Sequence, residues 1–181
     1  MRNHLITRLL ALTWVLCAAS CAGDVTQIRE EGFRLSLPGK WAGGYDEKSS
    51  AWIYFTASGE EGITVNTLQR GPDPDGAKLQ GDLEALLQHR LNLEQHLSDE
   101  PITLSKPAMS GADGQLTAVF DTIGMTSQRR KRTLLMVNRV VAVSFYYEAF
   151  GLSEPEFAAR ARAVLGQASL VLETSKPRSA R

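Results

Sequence analysis

Apolar and polar side chains alternate along FRLSLPGKW: Phe33, Leu35 and Leu37 fall on one set, Arg34 and Ser36 on the other, and Pro38-Gly39 ends the run. Successive side chains of an extended chain point to opposite faces, so this period of two predicts a half-buried strand. AWIYFTA (51–57) and GITVNTL (62–68) are rich in aromatic and β-branched residues and are separated by SGEE, the pattern of two strands joined by a hairpin loop. RGPDPDG (70–76) carries two prolines and two glycines and is predicted to be a loop. From Ala77 to Leu97 the period lengthens. Leu79, Leu83, Leu86, Leu87, Leu93 and Leu97 recur at steps of three and four, which predicts an amphipathic helix laid on a sheet. Arg90 and Glu94 interrupt its apolar stripe; four residues apart, they either pair at the stripe's edge or narrow it.

Four more strands are predicted at ITLSK (102–106), QLTAVFDTI (115–123), KRTLLMV (131–137) and VVAVSFYYEAF (140–150), with turns at Gly111 to Gly114, at Gly124 and at Asn138-Arg139. A second helix opens on Ser153-Glu154-Pro155-Glu156, a capping box, and Phe157, Ala161, Val164, Leu165 and Ala168 give it one apolar face. The order strands, helix, strands, helix, with hairpin-length connections, describes an α+β domain with a mainly antiparallel sheet. Strands such as AWIYFTA and LLMVNRVVAVSF are apolar on both alternating sets, so both sheet faces must be covered. The expected architecture is an α/β/α sandwich. No internal repeat is visible.

The first residues follow a different pattern. Arg2 and Arg8 precede an apolar run from Leu9 to Ala19, shorter than the roughly 18 apolar residues of a spanning helix, and small residues follow it. This is the layout of an export signal over residues 1–20. Ala18-Ala19-Ser20-Cys21 resembles the lipobox of bacterial lipoproteins, with Ala18 where that pattern usually has Leu. The resemblance implies acylation of Cys21; ordinary signal-peptidase cleavage near Ala22 is the alternative. It also implies outer-membrane sorting, because Ala22 and not Asp follows the cysteine. Cys17 would leave with the signal, so no intrachain disulfide or thiolate metal cluster could form in the mature chain. Residues 21–31 then read as a lipidated N-terminus with a short polar tether, 32–172 as a single domain, and 173–181 as a polar tail.

Charge adds one asymmetry. The whole chain balances 20 Lys/Arg against 20 Asp/Glu, but from Cys21 to Glu100 there are 7 against 14, and from Pro101 to Arg181 there are 11 against 6. A mature net charge of about −2 argues against a general nucleic-acid binder while leaving room for a local basic patch. QRRKR supplies one. Its four cations, Arg129, Arg130, Lys131 and Arg132, stand at a strand start and must alternate between faces, Arg130 and Arg132 on one and Arg129 and Lys131 on the other. They serve either to keep an exposed strand edge from pairing with other chains or to grip an anionic partner.

The remaining candidates for chemistry are weaker. Asp82, His89 and His96 lie along one helical stripe, but a spacing of seven puts them roughly 10 Å apart, too far to close a zinc site by themselves. Asp73-Pro74-Asp75-Gly76 lacks the further acidic ligands of a calcium loop and suits a turn better. Ser58, Ser110 and Ser144 have no base partner visible in sequence, and there is no Gly-x-Ser-x-Gly elbow or phosphate-cradling glycine loop. No catalytic residue, metal ligand or cofactor is therefore assigned.

Taken together, FRLSLPGKW, WIYFTASGEEGITVNTL, LQGDLEALLQHRLNLEQ, RTLLMVNRVVAVSF and EFAARARAVLGQASLVL resemble the PsbP-like fold, notably the bacterial DcrB-type lipoproteins, over residues 33–171. The resemblance implies a small periplasm-facing domain, often lipid-anchored, that acts as a binding or assembly accessory without catalysis. Its implied partners are the membrane through the lipid and an envelope protein or anionic ligand. The competing expectation is a hydrolase or metal-dependent enzyme with a pocket between sheet and helix.

Overall fold

The computed structural model describes residues 24–171 apart from 72, 74 and 113; the expected signal, Cys21 and the tail lie outside the described residues. The alternating residues Phe33, Leu35 and Leu37 are fully buried. They stand on strand β2 (Phe33–Pro38), which pairs antiparallel with β1 (Val25–Glu30) on one side and with the two-residue β11 (Ser169–Leu170) on the other. These three form a small sheet.

The large sheet holds the other strands: β3 (Trp41–Asp46), β4 (Ala51–Thr56), β5 (Glu61–Gln69), β6 (Ile102–Leu104), β7 (Ala108–Ala112), β8 (Gln115–Gly124), β9 (Arg130–Val137) and β10 (Val141–Ala149). Its order is β3-β4-β5-β10-β9-β8-β6, and β7 shares the outer edge of β8 with β6. Every pair is antiparallel. Helix α1 (Leu79–Leu97) packs on β8 and β9, and helix α2 (Glu154–Leu165) packs on β2, β9 and β10.

Strands β9 and β10 are apolar on both sets because they feed two cores. Leu135, Val137 and Ala142 pack with Leu79, Leu83 and Leu87 of α1. Leu134, Met136, Val141, Val143 and Phe145 point the other way, towards Phe33, Leu35, Leu37 and the α2 residues Phe157, Ala161 and Val164. The α+β class and the two covered faces are thus as expected, but the second outer layer is not helix alone. It is α2 together with the small sheet.

That difference corrects the domain boundary. The expected tether at 21–31 contains β1, whose Ile28 is 5% exposed and belongs to the core. VTQIRE shows only one inward-facing large apolar residue, so its periodicity is silent. Strand β3 was equally invisible because WAGGYD carries two glycines. Gly43 is required there: its φ is +150°, and a Cβ would come within 2.0 Å of the Ile53 carbonyl oxygen.

The helix starts follow from side-chain chemistry. At α2 the Ser153 N–H and hydroxyl both donate to Glu156 Oε2, at 2.9 and 2.5 Å. At α1 the buried Asp73 accepts from the Lys78 N–H at 3.3 Å and from Arg70 Nη2 at 3.1 Å. Arg70 also reaches Asp82 on the first turn and the Asn138 carbonyl in the β9–β10 turn. Arg70 therefore clamps Asp73 and Asp82 at the start of α1, and the Asp73 carboxylate is committed to that clamp.

Candidate functional site

The four cations of QRRKR lie at the start of β9, and that strand is interior. Arg132 stands opposite Tyr147 of β10 and Asp121 of β8, and Lys131 opposite Glu148 and Thr122. Edge protection, one of the two sequence readings, is thereby corrected: both edges of β9 are already paired within the sheet. The expected alternation between faces holds.

On the α2 face, Arg132 makes a bidentate pair with Asp121, Nε and Nη2 each 2.7 Å from a carboxylate oxygen, and its guanidinium lies 5.8 Å from the Phe157 ring centre. Hydrogen bonding to Asp121 holds the Arg132 pKa above its ordinary value. Arg130 donates from Nε to the Leu152 carbonyl at 3.2 Å. A cavity of about 190 Å³ beside them is lined by Thr103, Ser105 and Ala158 among others.

On the α1 face, Lys131 Nζ is 2.5 Å from Glu94 Oε2, both side chains largely buried, whereas Arg129 is 3.8 Å from Glu148 with 46% of its side chain exposed. The expected Arg90–Glu94 pair is not formed. Glu94 is drawn to the sheet by Lys131, and Arg90 lies over the Tyr146 ring at 5.1 Å. A cation over an aromatic face is stabilised without a carboxylate.

Between the last turns of α1 and the ends of β8 and β9 lies a cavity of about 230 Å³. Arg90, Arg129 and Lys131 line it, with Glu94, Glu100 and Thr122, and Leu93, Leu97 and Ile102 form its apolar wall. The Nε of Arg90 and the hydroxyl of Thr122 are buried and have no hydrogen-bond partner among the described residues; the Thr133 hydroxyl on the same sheet face shares that condition. Burial pushes the Tyr146 phenol pKa up. Buried polar atoms are nearly always paired, so this concentration beneath one helix is unusual.

Glu100 closes one side. Its carboxylate accepts from the Thr126 and Ser127 N–H groups at 2.6 and 2.9 Å and from the Ser127 hydroxyl. Those bonds, the Ser127 hydroxyl first, hold its pKa below the usual carboxylate range. A Cβ on Gly124 would meet Glu100 Oε1 at 2.2 Å, so this turn can seat the carboxylate only with glycine there.

The other sequence candidates stay apart from this cavity. His89 and His96 are exposed on α1, with His96 Nδ1 2.7 Å from the Asn92 carbonyl, and Asp82 belongs to the Arg70 clamp. Ser110 meets Thr117 at 2.8 Å, Ser144 is buried in β10, and Ser58 caps the β4–β5 turn. Among the described residues no group of three or more His, Cys, Asp or Glu is placed to hold a metal, and no helix is long and apolar enough to cross a membrane. Sequence reasoning missed that Arg90 and Thr122 line one cavity and that Tyr146 lies beneath Arg90. Its one available signal was Arg90 itself, a cation breaking an apolar stripe.

No protein-family profile matches the chain, and no curated protein does. Solved structures do. The PsbP protein of the cyanobacterium Synechocystis, CyanoP, superposes with a TM-score of 0.65 at 12% identity, covering 84% of this chain and 96% of that one. LpqN of Mycobacterium tuberculosis, described as involved in cell envelope biogenesis, gives 0.43 at 15% identity over 81% and 90%. A Bacteroides thetaiotaomicron protein gives 0.42 at 14% identity, covering 83% of this chain and 50% of its own length. The fold is PsbP-like; the finer DcrB-type resemblance stays an inference from sequence.

Proposed function

We propose that this PsbP-like domain is a lipid-anchored accessory module of a bacterial cell envelope, which binds a partner and carries out no catalysis. The observation that carries the reading is the closeness of the domain to the lipobox-like cysteine: β1 begins at Val25, four residues after Cys21. At about 3.5 Å per extended residue, an acylated Cys21 would hold the first strand within roughly 14 Å of the bilayer. Such confinement raises the effective concentration of the domain for a membrane-associated partner, so weak contacts suffice.

The end of the large sheet that carries the QRRKR turn is the proposed contact surface. Leu97, Met125 and Phe150 are exposed at this end with Arg129, and Phe55 is exposed at the same end of the sheet three strands away. Arg130, Lys131 and Arg132 are engaged within the fold, so the contact falls to Arg129 and these apolar neighbours, and it suits an envelope protein with an acidic patch. Photo-crosslinking from position 125 or 150 in intact cells should capture one partner, and Arg129→Ser should reduce that capture several-fold. Cys21→Ser should release the protein from membranes. Membrane association unchanged by that substitution would refute the anchor, and undiminished capture by Arg129→Ser would refute the contact surface.

A further inference from the structure

We propose that the cavity between α1 and the sheet binds a small monocarboxylate with a short apolar body. The carboxylate would sit on Arg90 and Thr122, and the apolar body would lie along Leu93, Leu97 and Ile102. This needs only the folded domain and not the anchor, although Leu97 and Arg129 are shared with the proposed partner surface.

The charges select the ligand. The lining carries three cations, Arg90, Arg129 and Lys131, and two carboxylates, Glu94 and Glu100, and Glu148 of β10 stands beside Arg129 as a third. Lys131 is matched by Glu94 and Arg129 by Glu148 from β10, while Glu100 is occupied by Ser127 and the Thr126 amide. Arg90 is left as the cation without a carboxylate, supported only by the Tyr146 ring. A singly charged anion matches this one unpaired cation, and a phosphate dianion would exceed it. Arg90 Nε needs an acceptor, and Thr122, whose residue is 6% exposed, has a hydroxyl free to donate. A carboxylate carries one charge for Arg90, and its two oxygens offer several acceptor sites, suited to a guanidinium or to a hydroxyl donor.

Size and polarity narrow the class. About 230 Å³ lies below the roughly 300–1,000 Å³ typical of pockets for drug-sized ligands, so the occupant is small. Water alone could fill the polar floor, but the wall of Leu93, Leu97 and Ile102 offers it no partners. Leu97 is 72% exposed, and it is the residue a bound apolar body would cover.

The test is calorimetric titration of the purified full chain with hexanoate, hexanol and inorganic phosphate, circular dichroism confirming that each variant is folded. Hexanoate should bind saturably at one site, and hexanol and phosphate at least tenfold more weakly. Arg90→Gln keeps most of the side-chain length and should weaken hexanoate tenfold or more; Thr122→Val should weaken it by a smaller factor. Should Arg90→Gln fail to fold, the exposed Leu97→Ser provides the same discrimination, weakening hexanoate several-fold while leaving acetate unchanged. Absence of saturable binding, hexanol binding as tightly as hexanoate, phosphate binding more tightly than hexanoate, or affinity unaltered in both the Arg90 and Leu97 variants would each overturn the proposal.

Discussion

At the scale of single residues, four adjacent cations have four different fates. Arg132 is held by two short hydrogen bonds to Asp121 on the neighbouring strand, in a partly buried setting, whereas Arg129 reaches Glu148 only at 3.8 Å and is half exposed. Charge-assisted bidentate pairs are the strong kind, and exposed pairs contribute little. Arg132→Ser should therefore lower stability by about 2 kcal/mol, because it also leaves Asp121 without its partner. Arg129→Ser should cost less than about 1 kcal/mol. Urea unfolding of the two variants checks the difference, and equal losses would mean that the pairing geometry is not what stabilises β9. Replacing all four cations together would not test partner capture cleanly, since the interior pairs would go with the exposed one. The tetrad was legible in sequence, and so was its division between faces. The partners were not, because Asp121, Glu94 and Glu148 come from three other elements.

At the scale of elements, strand β1 shows how little local signal a core strand needs. Its burial rests on Ile28 alone among the large apolar residues, while its backbone is fixed by six register positions along β2. Polar sequence around a single isoleucine reads as a tether, since nothing in it distinguishes a covered strand from a solvated one. Ile28→Ala should lower stability by about 3 kcal/mol, a core-truncation value, as read by thermal unfolding. A silent substitution would restore the tether. The opposite case is α2, whose Ser153–Glu156 box and apolar face were both readable, because capping is settled within four consecutive residues. Helix α1 falls between. Its leucine stripe was readable, but the same stripe hides where Arg90 goes once Lys131 has taken Glu94.

At the scale of the whole molecule, the two cores are joined through the sheet between them. Strands β9 and β10 give alternate side chains to each core, so neither can be lost without stripping one face of those strands. Domains of about this size commonly unfold in one step. Tryptophan fluorescence, from Trp41 and Trp52 on the small-sheet side, and far-ultraviolet circular dichroism, which is dominated by the helices, should therefore give coincident denaturant transitions. Separate midpoints would show that the α1 layer melts independently. The sequence by itself determined the α+β class, seven of the strands, both helices, the covering of both sheet faces and the alternation of the basic tetrad, because each of these is written in periodicity or in contacts a few residues apart. Tertiary structure alone decided that β1, β2 and β11 join into a second sheet, that β9 is interior, that Arg90 comes to lie over Tyr146, and that Arg90 and Thr122 line one cavity beneath α1. Those depend on which distant segments compete for the same partner, and strand pairing and ion pairing across such separations leave no trace in local order.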